Sequence, residues 1–198
     1  MMAGRAWLSD QRGELAAEKI LDAAEKLFAE RDPASVGMNE IARAAGCSRA
    51  TLYRYFESRD ALYTAYVHRW ANTLYQELTQ RLAGIEDPAQ RLVTGITESL
   101  TLVRSNPSLA SWFAETGPPI GVAMAEQSDV IAAMVRTFLS ALGTEDPEAV
   151  QQRARWVVRV MTSLLSFPGR DADDERAMLT EFVVPVVVSP GRLNSARG

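Results

Sequence analysis

One cysteine, Cys47, and one histidine, His68, are all that 198 residues contain of two side chains much used in metal binding and nucleophilic catalysis. A single cysteine closes no disulfide within the chain, and one Cys with one His does not make the usual zinc sets. Nor is there a glycine-rich phosphate loop, a Ser-x-x-Lys pair, a nucleophile elbow or a helix bearing spaced metal ligands. No catalytic residue, metal or cofactor is therefore expected. Cys47 reads as a small residue filling a turn, and His68 as a partly buried or solvated histidine. No apolar run approaches the ~20 residues that cross a bilayer, and no charged-then-apolar leader precedes a small-residue cleavage site. A cytoplasmic protein without membrane contact is expected. Strand alternation, repeats and low-complexity segments are absent too. The β-branched stretch VVPVVV at 183–188 has no partner strand and reads as helix kinked at Pro185.

What is present is helical periodicity. Apolar residues make up 47% of the chain, and they recur three and four apart in segment after segment. Leu15, Ile20, Leu21, Ala24, Leu27 and Phe28 mark a helix over residues 14–31, preceded by an irregular arm in which Arg5 and Arg12 are candidates to reach DNA. A long helix over 59–83 carries Leu62, Tyr66, Trp70, Leu74, Leu78 and Leu82, enough to leave one domain and run through another. Further helices fall at 88–105, 107–115, 122–142, 147–167 and 175–188, with a loop at 116–121 and a polar tail from 189. With the two short helices described next, about nine are expected and the fold class is all-α. The boundary between an N-terminal domain, 1–62, and a helical C-terminal domain, 63–198, falls within the long helix.

The most informative stretch is Met38 to Leu62. Met38, Ile41, Ala42 and Ala45 keep helical spacing up to Gly46, a residue suited to the left-handed conformation just past a helix end. Ser48 follows as an N-cap for a second short helix. There Ala45, Leu52 and Phe56 can face a core, while Arg49, Thr51, Tyr53, Arg54 and Tyr55 are left outside. Helix, glycine turn and polar second helix spell a helix-turn-helix, whose second helix enters the major groove. A purely structural adaptor would not explain why these arginines and tyrosines face out together.

Ile41-Ala42, Ala45-Gly46, Ser48, Thr51-Leu52-Tyr53, Tyr55-Phe56, Arg59 and Leu62 resemble the N-terminal signature of the tetracycline-repressor (TetR) family of transcription regulators, over about residues 15–65. The resemblance implies that Arg49, Ala50 and Thr51 face bases and that Tyr53, Tyr55 and Arg59 hold phosphates, with Ser48 and Arg54 on the same DNA-binding surface. The chain departs from the pattern at Gly37 and Met38, where the family has a capping threonine; Ser35 is the nearest substitute. It departs again at Arg59, where the family has lysine.

The net charge of −4 does not advertise a nucleic-acid partner. Yet between Ile41 and Arg59 four arginines (Arg43, Arg49, Arg54, Arg59) face a single acid, Glu57. Phosphate attraction acts within about 8–10 Å, so this local balance outweighs the total, and binding with few, salt-sensitive ionic contacts is expected.

Two copies of such a recognition helix one DNA turn apart read a palindrome, so a homodimer is expected. Val157, Met161, Leu164, Leu165, Phe182 and Val186 on the last two long helices are the candidate interface, as a four-helix bundle. Their alternative is the chain's own core. Ile96, Leu100, Val103, Trp112, Phe113, Met124, Met134, Phe138 and Trp156 are candidates to wall a pocket for a small lipophilic effector, or else to be plain core. The resemblance favours the pocket, and with it a repressor that leaves its operator when the effector binds. Repression rather than activation rests on the resemblance alone.

Overall fold

The computed structural model describes the backbone of residues 3–113, 120–143 and 146–188, and side chains within those ranges from residue 13 onward. The chain is all-α, and among the described residues there is no strand. The helices are α1 (Ala3–Glu30), α2 (Met38–Ala44), α3 (Arg49–Tyr55), α4 (Arg59–Arg81), α5 (Pro88–Ser105), α6 (Pro107–Ala110), α7 (Ile120–Gln127), α8 (Asp129–Ser140), α9 (Pro147–Ser166), α10 (Ala172–Met178) and α11 (Val184–Val187).

Most boundaries follow from caps. Asp87, Ser128, Asp146 and Asp171 accept backbone N–H bonds at the starts of α5, α8, α9 and α10, and proline occupies the first turn of α5, α6 and α9. Several expectations change. α1 begins at Ala3, so backbone expected as an arm continues the helix; the side chains of Arg5 and Arg12 lie outside the described residues. Ile120 and Gly121, expected in a loop, already belong to α7. The single helix expected over 122–142 is two, because the Ser128 hydroxyl accepts the Ile131 N–H at 3.2 Å and starts a new helix. The last helix starts earlier, at Ala172, and passes through a π turn, Leu179–Val183, before α11. Pro185 has no N–H and its ring crowds the preceding turn; a locally widened turn accommodates both. The expected loop residues 116–119 and the tail 189–198 lie outside the described residues.

Two cores form. The first gathers Ile20, Leu21, Ala24 and Phe28 of α1, Ile41 of α2, Leu52 of α3, and Leu62, Tyr63 and Tyr66 of α4, and it also takes in Trp112. Leu15 of the α1 stripe is left on the surface. The second is built from α5, α8, α9 and the C-terminal helices, around Leu92, Ile96, Leu100, Leu139, Val157 and Leu179. At about 1.5 Å per residue α4 is roughly 35 Å long, enough to serve both. It packs on α1, and on α5, α7 and α8 of the C-terminal body.

Candidate nucleic-acid interface and effector cavity

The turn between α2 and α3 is made by Gly46, whose φ of 68° suits glycine. Ser48 caps α3: its Oγ accepts the Thr51 N–H at 3.0 Å and sits 2.9 Å from the Thr51 hydroxyl. Leu52 points inward and is fully buried, and Phe56 is buried at the end of the helix. Arg49, Ala50 and Arg54 are exposed, and Thr51, Tyr53 and Tyr55 half-buried. The guanidinium of Arg49 lies 5.3 Å over the Tyr53 ring and that of Arg54 lies 5.1 Å over the Tyr55 ring. Each cation is thus parked on an aromatic face, which orders the long side chain without an acidic partner. Both tyrosine rings also pack against the first core, which restricts where their hydroxyls stand.

Arg59 is turned the other way. Its Nη2 donates to the carbonyls of Pro33 and Val36, each at 2.9 Å, and to that of Ala34, while its Nε donates to the Tyr63 hydroxyl at 2.8 Å. The Tyr63 hydroxyl in turn donates to the Pro33 carbonyl. The guanidinium expected on a phosphate therefore clamps the 3-10 turn Pro33–Ser35 that delivers the chain to α2. The reason is local: Asp32-Pro33 breaks the helix and leaves carbonyls that a continuing helix would have used. Ser35 does not replace the missing cap. Its hydroxyl donates back to the Asp32 carbonyl at 2.7 Å, and Gly37 begins α2 with no side-chain cap.

Where the cores meet, aromatic rings interlock. Trp112 stacks on Tyr66 at 5.5 Å and meets Phe28 and Tyr63 edge-on at 5.4 and 4.9 Å. The Tyr66 hydroxyl donates to Ser108 Oγ at 2.8 Å, and burial pushes its pKa up to about 12, so it stays neutral. Arg69, on the next turn of α4, ties that helix to α1 through Glu18, Asp22 and Glu25 at 3.1, 2.7 and 2.7 Å.

Beyond Trp112 lies a cavity of about 300 Å³, bounded by α4, α5, α7, α8 and α9. Of the expected lining, Ile96, Val103, Trp112, Phe113, Met134 and Phe138 are in its wall. Three are not. Leu100 is buried in the second core, Met124 packs against the first, and Trp156 faces solvent. Val157, Met161 and Leu165, expected at a dimer surface, line the cavity instead, and Leu164 is buried in the chain's own core. Phe182 and Val186 do stand on the surface, 61% and 50% exposed, as do Trp156 and Phe167. The inner face of α4, from Val67 to Leu82, is a whole wall that the pocket expectation missed; its four-residue row was the signal. His68 is not in that wall, and its Nε2 lies 3.1 Å from the Ser128 hydroxyl that caps α8.

The model of the bacterial regulatory proteins of the tetR family matches residues 20–66, the whole helix-turn-helix with the end of α1 and the start of α4. The HTH-type transcriptional regulator Rv1255c of Mycobacterium tuberculosis is 63% identical over 94% of this chain and 92% of its own. Among solved structures, the TetR family repressor AlkX of a Dietzia strain, implicated in n-alkane biodegradation, superposes with a TM-score of 0.64 at 25% identity, covering 85% of this chain and 96% of that one. RolR in complex with resorcinol shares the fold, with a TM-score of 0.68 at 20% identity over 89% of each chain.

Proposed function

Because the chain belongs to the tetR family of bacterial regulatory proteins and carries its DNA-binding helix-turn-helix, we propose that it is a cytoplasmic, ligand-responsive repressor rather than an enzyme. It binds a palindromic operator as a homodimer and is released by a small lipophilic effector. The observation that carries this reading is that one helix serves both sites: α4 starts in the core that props α3 and continues as a wall of the cavity, with Trp112 shared between the two. A ligand that repositions α4 or Trp112 changes the support of α3, and by reciprocity DNA and effector weaken each other equally. Arg49, Ala50 and Thr51 read bases, and Tyr53, Arg54 and Tyr55 hold the backbone. The exposed Trp156, Phe167, Phe182 and Val186 supply the apolar surface through which α9 and the C-terminal helices pair with a second copy.

Selection of bound sequences from a random duplex pool tests the reading directly. The expected product is an inverted repeat whose half-sites lie about 34–36 Å apart, with affinity that falls as salt rises. Recovery of no sequence preference, or of a single unrepeated half-site, overturns it. Sedimentation of the free protein at micromolar concentration should give a dimer; a monomer defeats the pairing surface.

A further inference from the structure

The cavity is apolar almost throughout. Hydroxyls in its wall are largely committed: Thr79, Ser99, Thr137 and Thr162 each donate to a backbone carbonyl of their own helix, at 2.8, 2.6, 3.0 and 3.1 Å. Three wall residues, Trp70, Arg91 and Trp112, have a buried side-chain nitrogen with no hydrogen-bond partner, and all three nitrogens are N–H donors. The Trp70 nitrogen is the least free of them, lying near the Tyr66 hydroxyl without a bond of good geometry. Among the described residues no Asp or Glu lines the cavity. The one charged side chain among the described residues of this wall is the cation of Arg91, so a charged group that pairs with it brings acceptors.

Arg91 is the charged member of the set. It is half-buried near the start of α5, its Nε–H unpaired and its Nη1 a long 3.4 Å from the Ile85 carbonyl. None of the ion pairs among the described residues includes it. A guanidinium set against apolar walls without a counter-charge is poorly compensated, and its planar fork matches a carboxylate with two parallel bonds. Its place in the fold matters as much as its charge. Ile85 and Leu82 put Arg91 at the far end of α4, while Val67 and Trp112 stand at the end next to the first core. The stretch of α4 between Val67 and Leu82 is roughly 22 Å long. One cation therefore sits at one end of an extended apolar space.

We propose that Arg91 is the head-group site of this cavity and that the effector class is a monocarboxylate with an extended hydrocarbon tail lying along α4 toward Trp112. A single guanidinium balances a single negative charge, which favours a carboxylate over a doubly charged phosphate ester. The inference rests on the cavity being the effector site, and its test separates the two ideas. Dodecanoate, methyl dodecanoate and dodecan-1-ol are titrated calorimetrically, below micellar concentration, into wild type and into Arg91→Gln and Arg91→Lys. Wild type should bind the acid about ten- to a hundredfold more tightly than the ester or the alcohol, the range for hydrogen bonds to a charged group. Arg91→Gln should lose that preference while keeping its affinity for the ester, and Arg91→Lys should keep part of it. Equal binding of acid and ester by wild type overturns the head-group assignment and leaves a lipophilic effector site standing. So does an acid preference that survives in Arg91→Gln. Should that variant not fold, the wild-type ratio and Arg91→Lys still decide. If none of the three molecules binds, the effector reading of the cavity falls as well.

Discussion

In the head, from residue 13 to Tyr66, no buried side-chain nitrogen or oxygen among the described residues lacks a hydrogen-bond partner, whereas the four that do (Trp70 Nε1, Arg91 Nε, Trp112 Nε1 and Ser166 Oγ) all lie beyond it. The head spends its polar groups on fixing its own shape: Ser48 and Ser58 cap α3 and α4, and Arg59 holds three carbonyls of one turn. The body carries its unpartnered groups on three residues of the cavity wall and on Ser166. Unsatisfied buried groups cost about 1–3 kcal/mol each, so among the described residues that cost falls on the body and not on the head. The two regions share one helix, α4, and one tryptophan, Trp112.

The strongest way to break that contrast is to remove the shared tryptophan. Trp112→Ala should cost about 3–5 kcal/mol, as large-to-small changes at buried aromatics do, measured by urea denaturation. Because Trp112 contacts Phe28, Tyr63 and Tyr66 of the head, the loss should appear in amide exchange of α1 as well as of the body. Protection of α1 left at the wild-type level would separate the two regions and remove the route proposed for coupling.

A partly buried ion pair of the body comes next. Arg104 of α5 grips Glu175 of α10 with two bonds, 2.9 and 2.7 Å, and also reaches the Leu164 carbonyl at 2.8 Å. Glu175 is 4% exposed and also accepts the Gly169 N–H at 2.9 Å. The Arg104 guanidinium holds its carboxyl below the ordinary 4.5. A carboxyl depressed by folding stabilises fully above its unfolded pKa, and that contribution is lost as pH falls through the folded value. Thermal melts should therefore show stability declining below about pH 4.5, and Glu175→Gln should flatten that decline while costing about 2–3 kcal/mol at neutral pH, less than a fully buried pair because Arg104 is partly exposed. An unchanged acid limb in Glu175→Gln would assign the decline to other carboxylates.

Arg59 sharpens the comparison from the head side. If it is a clamp, Arg59→Lys loses the forked donor and should cost about 2 kcal/mol of stability, while the salt dependence of DNA binding keeps its slope. If it touches a phosphate, the lysine variant should be as stable as wild type, and Arg59→Met should lower the slope of log affinity against log salt by about one. Parallel melts and titrations at several salt concentrations distinguish the two.

Arg59 also marks where sequence reading stops. The helix-turn-helix was legible because its signals are local: helical spacing in Met38, Ile41 and Ala42, a glycine at 46, a serine cap at 48. The direction in which Arg59 points was not, because its carbonyl acceptors lie more than twenty residues upstream, exposed by a break whose geometry no periodicity encodes. The pocket was half legible for a related reason. An apolar stripe says that a face is covered but not by what, so Val157, Met161 and Leu165 could be read toward a partner when they face the cavity. Arg91 was invisible, since one arginine in an amphipathic helix looks like any solvated charge. The break at Ser128 was readable in principle from Ser-Asp at a helix start, but the apolar residues on either side masked it.

The smallest effect tests the start of α2, which no side chain caps. Gly37 starts α2 with φ −93° and ψ 151°, the extended backbone usual for an N-cap, and nothing lies within 4 Å of where a Cβ would stand. Gly37→Thr or Gly37→Ser should therefore fit without strain and place a hydroxyl where it can accept an orphan N–H of the first turn. The difference between glycine and serine at an N-cap is a few tenths of a kcal/mol, or about 1 °C in melting temperature for a chain of this size. The same hydroxyl stands at the start of the helix preceding α3, so an added phosphate contact should tighten operator binding beyond what the small gain in stability provides. If the melting temperature rises and affinity does not, the start of α2 lies away from the backbone of the duplex. If neither rises, the extended conformation at Gly37 is not the determinant of the cap, and the head is already as rigid without it.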